Sequence, residues 1–449
     1  MAKIAIVNFN AGEITPDVDA REDIEKYTGG CRKCENMIPD VFGNATKRPG
    51  TEFITIGGAG CYFETPASDP TKIHIYTADQ LQKVGFYHPT PVFAAEHTDS
   101  TYPPDGNYEL MNDIDLSGIE WTAPIGSGTY AFSGTFDGRY FTISNLHNTH
   151  TEINHYLSGG LFCTTTGATI QRVILKDSVH TQLSTAPNAR SYNNMGLFIG
   201  SGNYGGASNS TITDCYASGS FTSNNTGAKS EKMSQIAGFA GGTTSGTNTF
   251  TRCGCDITIV DNKGLVTSAG FMSRFSGSGA FVFQDCYAIG TITTPTTGNS
   301  YTNFLNVGGF IGLQTDGDNI EIKNCYSAVK LIGYQYYTPS GIGGFTGAIA
   351  SAANEDGTYT ACFWDNSLGH TIGGRTAGLD LYDCGTLAST DDEGDLTGVT
   401  KSTTTLMQTQ STFTDAGWDF TANTGTWKIR SGDYPRHQWH YTATECQPL

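Results

Sequence analysis

Basic residues are scarce in this chain: Lys and Arg number 25 against 43 Asp and Glu, a formal charge of −18 over 449 residues. Phosphate binding needs clustered cations, so this balance excludes a nucleic-acid partner and reads as a solubilising acidic surface. No stretch approaches the roughly 18 apolar residues of a membrane-spanning helix, so no membrane insertion is expected. The apolar run Ala5-Ile6-Val7 is too short for the core of a secretory leader and runs at once into polar residues. Folding in a reducing cytoplasm is therefore expected, with the 12 cysteines as thiols. Also missing are a phosphate-cradling Gly loop, a nucleophile elbow and a zinc-protease motif.

Turn and strand chemistry is abundant instead. The 56 Gly, 22 Tyr and 24 Phe, with many Ser, Thr and Asn, describe short strands joined by tight turns, a mainly β class. Between residues 159 and 347 one pattern recurs: an apolar-Gly-Phe block, a run of Gly, Ser, Thr and Asn, then an apolar strand that often ends on Cys-Tyr. The Phe positions are Phe162, Phe198, Phe239, Phe271, Phe310 and Phe345; the matching strand ends are Val173, Cys215, Cys253, Cys286, Cys325 and Cys362. Both series step by about 32 to 42 residues, the repeat length of solenoids and propellers. One repeat carries too little apolar surface to fold alone. Coils are expected to stack until Phe, Ile and Cys form continuous internal ladders, the cysteines packing as small hydrophobes.

Four regions follow. Residues 1–65, interrupted by Gly, Pro and Asn, read as an extended arm with one short helix near 20–28 that orders against a partner. Residues 66–158 begin the repeat body; Thr77 and Gln80 have capping-box spacing, predicting a short helix through about residue 84 that covers the open end. Residues 159–364 are the repeats. In 365–449, residues 365–405 read as a looped connection with little core, and the aromatic stretch 406–439 as a cap for the other end, because an uncovered end exposes a pairing edge.

Two resemblances bear on function. Gly12-Glu13-Ile14-Thr15-Pro16, Arg21, Lys26-Tyr27, Gly30-Cys31, Asn36, Pro39, Gly43 and Arg48-Pro49-Gly50-Thr51 resemble the N-terminus of bacteriophage tail proteins, including nozzle-type proteins of short-tailed phages. Such nozzle proteins continue into other β domains, whereas this chain continues into repeats, so the broader virion tail component is the reading kept. The block from Ile73 to Cys362 resembles the GLUG-repeat β-solenoids, through Tyr108 to Leu116, Phe132 to Leu146, and copies such as Gly196-Leu197-Phe198-Ile199-Gly200 and Gly308-Gly309-Phe310-Ile311-Gly312. Phe replaces the Leu of the signature in most copies, and Thr164 and Ser273 replace its last Gly in two. The resemblance implies a right-handed parallel β-helix, with the C-terminal Gly417-Trp418-Asp419-Phe420, Trp427-Lys428-Ile429 and Tyr434-Pro435 as the usual ending of such chains.

Chemistry-bearing residues are few. Glycoside hydrolysis on a β-helix needs paired carboxylates on one exposed face. Asp113 and Asp115 lie two apart on one strand but read as turn or strand-edge residues, and Asp214, Asp285 and Asn324 recur before the ladder Cys as surface turns. His147, His150 and His155 read as solvated loop residues, His437 with His440 as a similarly weak metal signal, Asp391 to Asp395 as a solvated acidic loop, and Cys31 with Cys34 or Cys253 with Cys255 as too few ligands for zinc. No catalytic residue, metal or cofactor is assigned.

The expected function is that of a non-enzymatic virion tail component, made in the bacterial host cytoplasm. It would dock on other phage tail or neck proteins through Glu13, Pro16, Arg21, Tyr27, Asn36, Arg48 and Pro49, and assemble as a homo-oligomeric ring or fibre. The alternative is a receptor-binding adhesin or tailspike, with or without polysaccharide cleavage, contacting a host receptor or glycan through Tyr334, Tyr336 and Tyr337.

Overall fold

The computed structural model describes residues 68–86, 99–126, 130–150, 158–184, 193–200, 207–225, 234–262, 266–275, 279–294, 306–315, 319–334, 341–350, 357–373, 381–387, 392–445 and 447–448, with short strands at 12–13, 30–31, 37–39, 45–47 and 62–63. The chain divides into two compact units, Met1–Glu64 with Leu449, and Thr65–Pro448. In the first, Gly12–Glu13 pairs parallel with Gly30–Cys31, and Met37–Pro39 antiparallel with Ala45–Lys47.

The second unit is a parallel β-solenoid. Six coils among the described residues place a strand in each of four sheets. One coil shows the order: Asn193–Gly196 in the first sheet, Ala207–Ser208 in the second, Thr211–Thr213 in the third and Tyr216–Asn225 in the fourth. Each strand bonds to its counterparts in neighbouring coils, so the backbone groups that a single repeat leaves open are paired by stacking. Phe162, Phe198, Phe239, Phe271, Phe310 and Phe345 are all fully buried. From Phe198 to Phe345 their rings stack at centroid separations of 4.7, 4.8, 4.9 and 5.0 Å, forming the predicted internal ladder.

The corner between the third and fourth sheets explains the second series. Arg172, Asp214, Arg252, Asp285, Asn324 and Ala361 all sit at φ between 50° and 56°, turning the chain in the left-handed conformation. That conformation is costly for residues with a Cβ. Here lateral pairs offset the cost: Arg252 holds Asp214 through Nε and Nη2 at 2.6 and 2.8 Å, and Asn324 Nδ2 donates to Asp285 at 3.1 Å. The next residue points inward. Cys215, Cys253, Cys286, Cys325 and Cys362 are fully buried, and each S–H lies against the carbonyl two residues back, at 3.3, 3.4, 3.4, 3.2 and 3.5 Å. They therefore stand at the corner, two residues past the end of the preceding strand, and add a donor to the small-hydrophobe role. Burial pushes the thiols of Cys215, Cys286 and Cys362 up, which keeps them protonated.

Both ends are closed, one of them by an unexpected segment. At the N-terminal end the helix Ala78–Leu81 has the predicted capping box, Gln80 N donating to Thr77 Oγ1 and Thr77 N to Gln80 Oε1, each at 3.2 Å. Leu81, Val84 and Phe86 are buried over the first coils. At the other end the expected looped connection is instead a further partial coil. Cys384 pairs with Thr346, and Val399–Ser402 pairs with Cys362–Asp365. Leu381, Cys384 and Leu396 are buried in this layer, and Asp383 ties it down, accepting Trp364 Nε1 at 2.6 Å and Leu396 N at 3.0 Å. The antiparallel return of Asp392–Gly394 onto Cys384–Leu387 ends the second sheet, so the solenoid extends past residue 364 to Ser402. Among the described residues, no helix is long and apolar enough to cross a membrane.

Candidate functional site

Charged and aromatic side chains converge at two places on the outside of the solenoid. The first is the third sheet of the opening coils, where register stacks His74, Glu109, Asp137 and Gln171 in one column. Glu109 and Asp137 are each 1% exposed, the buried acidic pair that chain position hides. Glu109 accepts the Asp69 amide at 2.7 Å and faces His74 Nε2 at 3.1 Å. Asp137 takes Arg172 through both Nε, at 3.0 Å, and Nη2, together with Gln171 Nε2 at 3.0 Å and the Arg139 amide at 2.9 Å. Lys72 Nζ bridges the two carboxylates at 3.9 and 3.4 Å. Burial alone would raise the Asp137 carboxyl, but the Arg172 guanidinium and the other donors outweigh it and hold the group below the usual carboxylate range. A glycosidase acid needs the reverse, a carboxyl held up and exposed to substrate. This network is a clamp that fastens the first strand, Ile73–Ile75, to the coils.

Asp113 and Asp115 do serve as strand-edge residues. Asp113 accepts the Thr142 amide of the next coil at 2.7 Å; Asp115 accepts Ser117 and Asn145 at 2.7 to 2.9 Å, bonds that hold its carboxyl below the usual value.

The second place is the flank formed by the fourth sheet. Its register aligns Ile174, Tyr216, Gly254, Tyr287, Tyr326 and Phe363 in one column immediately after the corner residues. Tyr287 and Tyr326 stack at 5.5 Å, and Gly254 leaves the room: a Cβ there would stand 2.2 Å from the Tyr287 ring. The stretch 406–439, expected to cap an end, lies along this column instead, within a segment that spans residues 403–441. Trp418 packs on Phe363 and Tyr326, Trp427 on Tyr326 and Tyr287, His437 on Tyr287, His440 on Tyr216, and Trp439 stacks on Tyr140 at 5.4 Å. The segment therefore runs back along the coils as a longitudinal strap.

Polar bonds fix its register. Trp418 Nε1 donates to Ala361 O at 3.0 Å, Tyr434 Oη to Asp365 Oδ2 at 2.7 Å, and Tyr326 Oη to Pro435 O at 2.5 Å. Trp427 Nε1 donates to Asp285 Oδ1 at 3.2 Å, His437 Nε2 lies 2.7 Å from Asp285 O, and Arg436 pairs with Asp256 at 2.9 and 3.0 Å. Asp285, read as a surface turn, is thus buried beneath the strap. His437 and His440 are likewise buried: burial drives the first down to about 3 and the second well below the ordinary histidine value.

The remaining sequence candidates do not come together here. His147 forms an exposed pair with Glu120 at 2.8 Å, as a solvated residue would, while His155 and the His150 side chain lie outside the described residues. Glu13 is described only as backbone in its short strand; Pro16, Arg21, Tyr27, Asn36, Arg48 and Pro49 lie outside the described residues. Tyr334 ends the strand Tyr326–Tyr334, and its side chain, with Tyr336 and Tyr337, also lies outside. Asp392 to Gly394 form backbone pairs rather than a free acidic loop. Among the described residues, no group of three or more His, Cys, Asp or Glu is placed to hold a metal ion.

Fold and flank together define a class: a mainly β, parallel β-solenoid braced along one side by its own C-terminal segment. No family model matches the chain. A protein of Evansella cellulosilytica named "Putative Gly-rich membrane protein" is 32% identical over 161 residues, which are 36% of this chain and 14% of that protein, so the match spans a small part of the relative's length. Among solved structures, one titled as a "putative immunoglobulin A1 protease" from Bacteroides ovatus aligns over 83% of this chain and 94% of its own at 18% identity, with a TM-score of 0.49.

Proposed function

We propose that this chain is a non-enzymatic structural component of a bacteriophage tail, in which the N-terminal unit docks on the virion and the solenoid is the rigid body it displays. The observation that carries the reading is the ordered set of residues from Gly12 to Thr51 that resembles the N-terminus of phage tail proteins, borne by a compact unit of its own. In support, five buried carboxylates of the solenoid are spent on fastening: Glu109 and Asp137 clamp the first strand, Asp383 the last layer, Asp285 and Asp365 the strap. Neighbouring tail or neck proteins, and further copies of the chain in a ring or fibre, are the partners this reading requires. Its virion location follows from the same docking.

A second reading, a receptor- or glycan-binding fibre, is favoured by Tyr76 and Tyr130, which are 49% and 50% exposed on the opening coils. One experiment separates the two. A chain lacking residues 1–64 should fold as a soluble β protein and be missing from purified virions by immunoblot. Incorporation at the full-length level would refute docking through the N-terminal unit. Adsorption of the same truncated protein to host cells would instead support the receptor-binding fibre.

A further inference from the structure

The strap is fastened by two imidazoles buried against the flank, and one of them has no place for a second proton. His437 is fully buried. Its Nε2 lies 2.7 Å from the backbone carbonyl of Asp285, which can only accept, so Nε2 carries the hydrogen and Nδ1 is the bare nitrogen. Nδ1 has no polar partner and no solvent contact. A proton there would be a charged donor without an acceptor, a costly state in a dry interface. His440, 7% exposed, stands edge-on to Tyr216 at 4.4 Å with Trp439 beside it.

The charged surroundings of the two rings come from both the coils and the strap. The carboxylates are already engaged: Asp285 by Trp427 and Asn324, Asp256 by Arg436, and Asp433 by Arg436 at 3.7 Å. The cations are Arg252 and Arg436 near His437, and Arg436, Lys176 and Arg430 near His440. Burial disfavours the protonated form at both rings, and these cations reinforce it; at His437 only the Asp285 carbonyl opposes. Beneath the strap, the coils are joined by backbone ladders and the Phe column, neither of which titrates.

We propose that the strap is an acid-released element: protonation of His437 and His440 frees residues 426–441 from the flank while the coils keep their stacking, uncovering Tyr216, Tyr287 and Tyr326. The inference does not depend on the tail reading. Its sign follows from linkage. Both histidines have a lower pKa docked than released, so docking is full above the released value of about 6.5 and weakens as pH falls towards the docked value. Two such sites weaken docking by up to about a hundredfold per pH unit within that window.

Hydrogen exchange on the full chain, read by mass spectrometry at about pH 7.5 and pH 5 and corrected for the intrinsic exchange rate, tests this. Peptides covering residues 426–441 should lose protection by about tenfold or more at the lower pH, with the strands Tyr287–Thr293 and Tyr326–Tyr334 unchanged. No loss, or equal loss in the strands, overturns the proposal. In the double variant His437→Gln and His440→Phe, Gln can keep a donor to Asp285 O and Phe the ring contact with Tyr216. Its strap should stay protected at pH 5; a loss as large as in the parent chain would show that these histidines are not the trigger. If the variant does not fold, the imidazole resonances of the unaltered chain decide. A pKa well below 6.5 at both rings, with strap release on protonation, supports the switch, and ordinary titration near 6.5 without release overturns it.

Discussion

A single left-handed residue, followed by an inward Val173 in the first of the six coils and by an inward Cys in the other five, turns the chain at this corner, and its side chain decides what happens outside it. Where it is Asp214 or Arg252 the two pair laterally; where it is Asp285 it receives the strap. The Cys column was legible in the sequence because one position repeats at coil spacing. The Glu109–Asp137 clamp was not, because two carboxylates 28 positions apart become neighbours only through sheet register. A signal did exist, since each follows an aromatic residue of the same buried column, Tyr108 and Phe136. Asp137→Asn should destabilise the solenoid by roughly 2–4 kcal/mol, as it leaves Arg172 without its carboxylate at a mostly buried site. Urea unfolding would measure this. Because the folded Asp137 pKa is depressed, its contribution is present above the unfolded value near 3.8 and is lost as pH falls through the folded one. The gap between parent and variant should accordingly narrow in acid.

At the scale of elements, the Phe column converts separate repeats into one body. Phe271 stacks on Phe239 and Phe310 at 4.8 and 4.9 Å and meets Phe250 and Phe283 edge-on at 6.0 Å, so both its faces and its edge are used. Phe271→Ala should cost about 3–5 kcal/mol, since neighbours held by parallel ladders collapse poorly into the space. Denaturant titration checks it, and a much smaller loss would mean that the coils slide to fill the gap. The body of repeats was readable from hydrophobic spacing. Its extension through residues 381–402 was not, because Gly, Thr and Asp dominate that stretch and few of its described residues, Leu381, Cys384 and Leu396 with the partly buried Leu387 and Val399, join the core.

For the whole molecule, the strap couples coils that otherwise touch only their neighbours. A solenoid's stability is close to a sum of repeat and interface contributions, and a brace reaching from Phe363 to Tyr140 ties distant repeats together. A chain ending at Ser402 should keep its β signal in circular dichroism but melt lower and bind a hydrophobic dye, with Tyr216, Tyr287 and Tyr326 newly exposed. Unchanged melting and no dye binding would show that the flank does not need its cover. The sequence by itself determined the solenoid, its inward Phe and Cys columns and the helix over its first coils, because the columns follow from a local pattern that recurs from coil to coil and the helix from one capping box. Only the tertiary structure decided that the aromatic C-terminal stretch lies along the flank rather than across an end. Its partners Tyr140, Tyr216, Tyr287 and Tyr326 come from different coils, and stacking in register is what turns them into one surface.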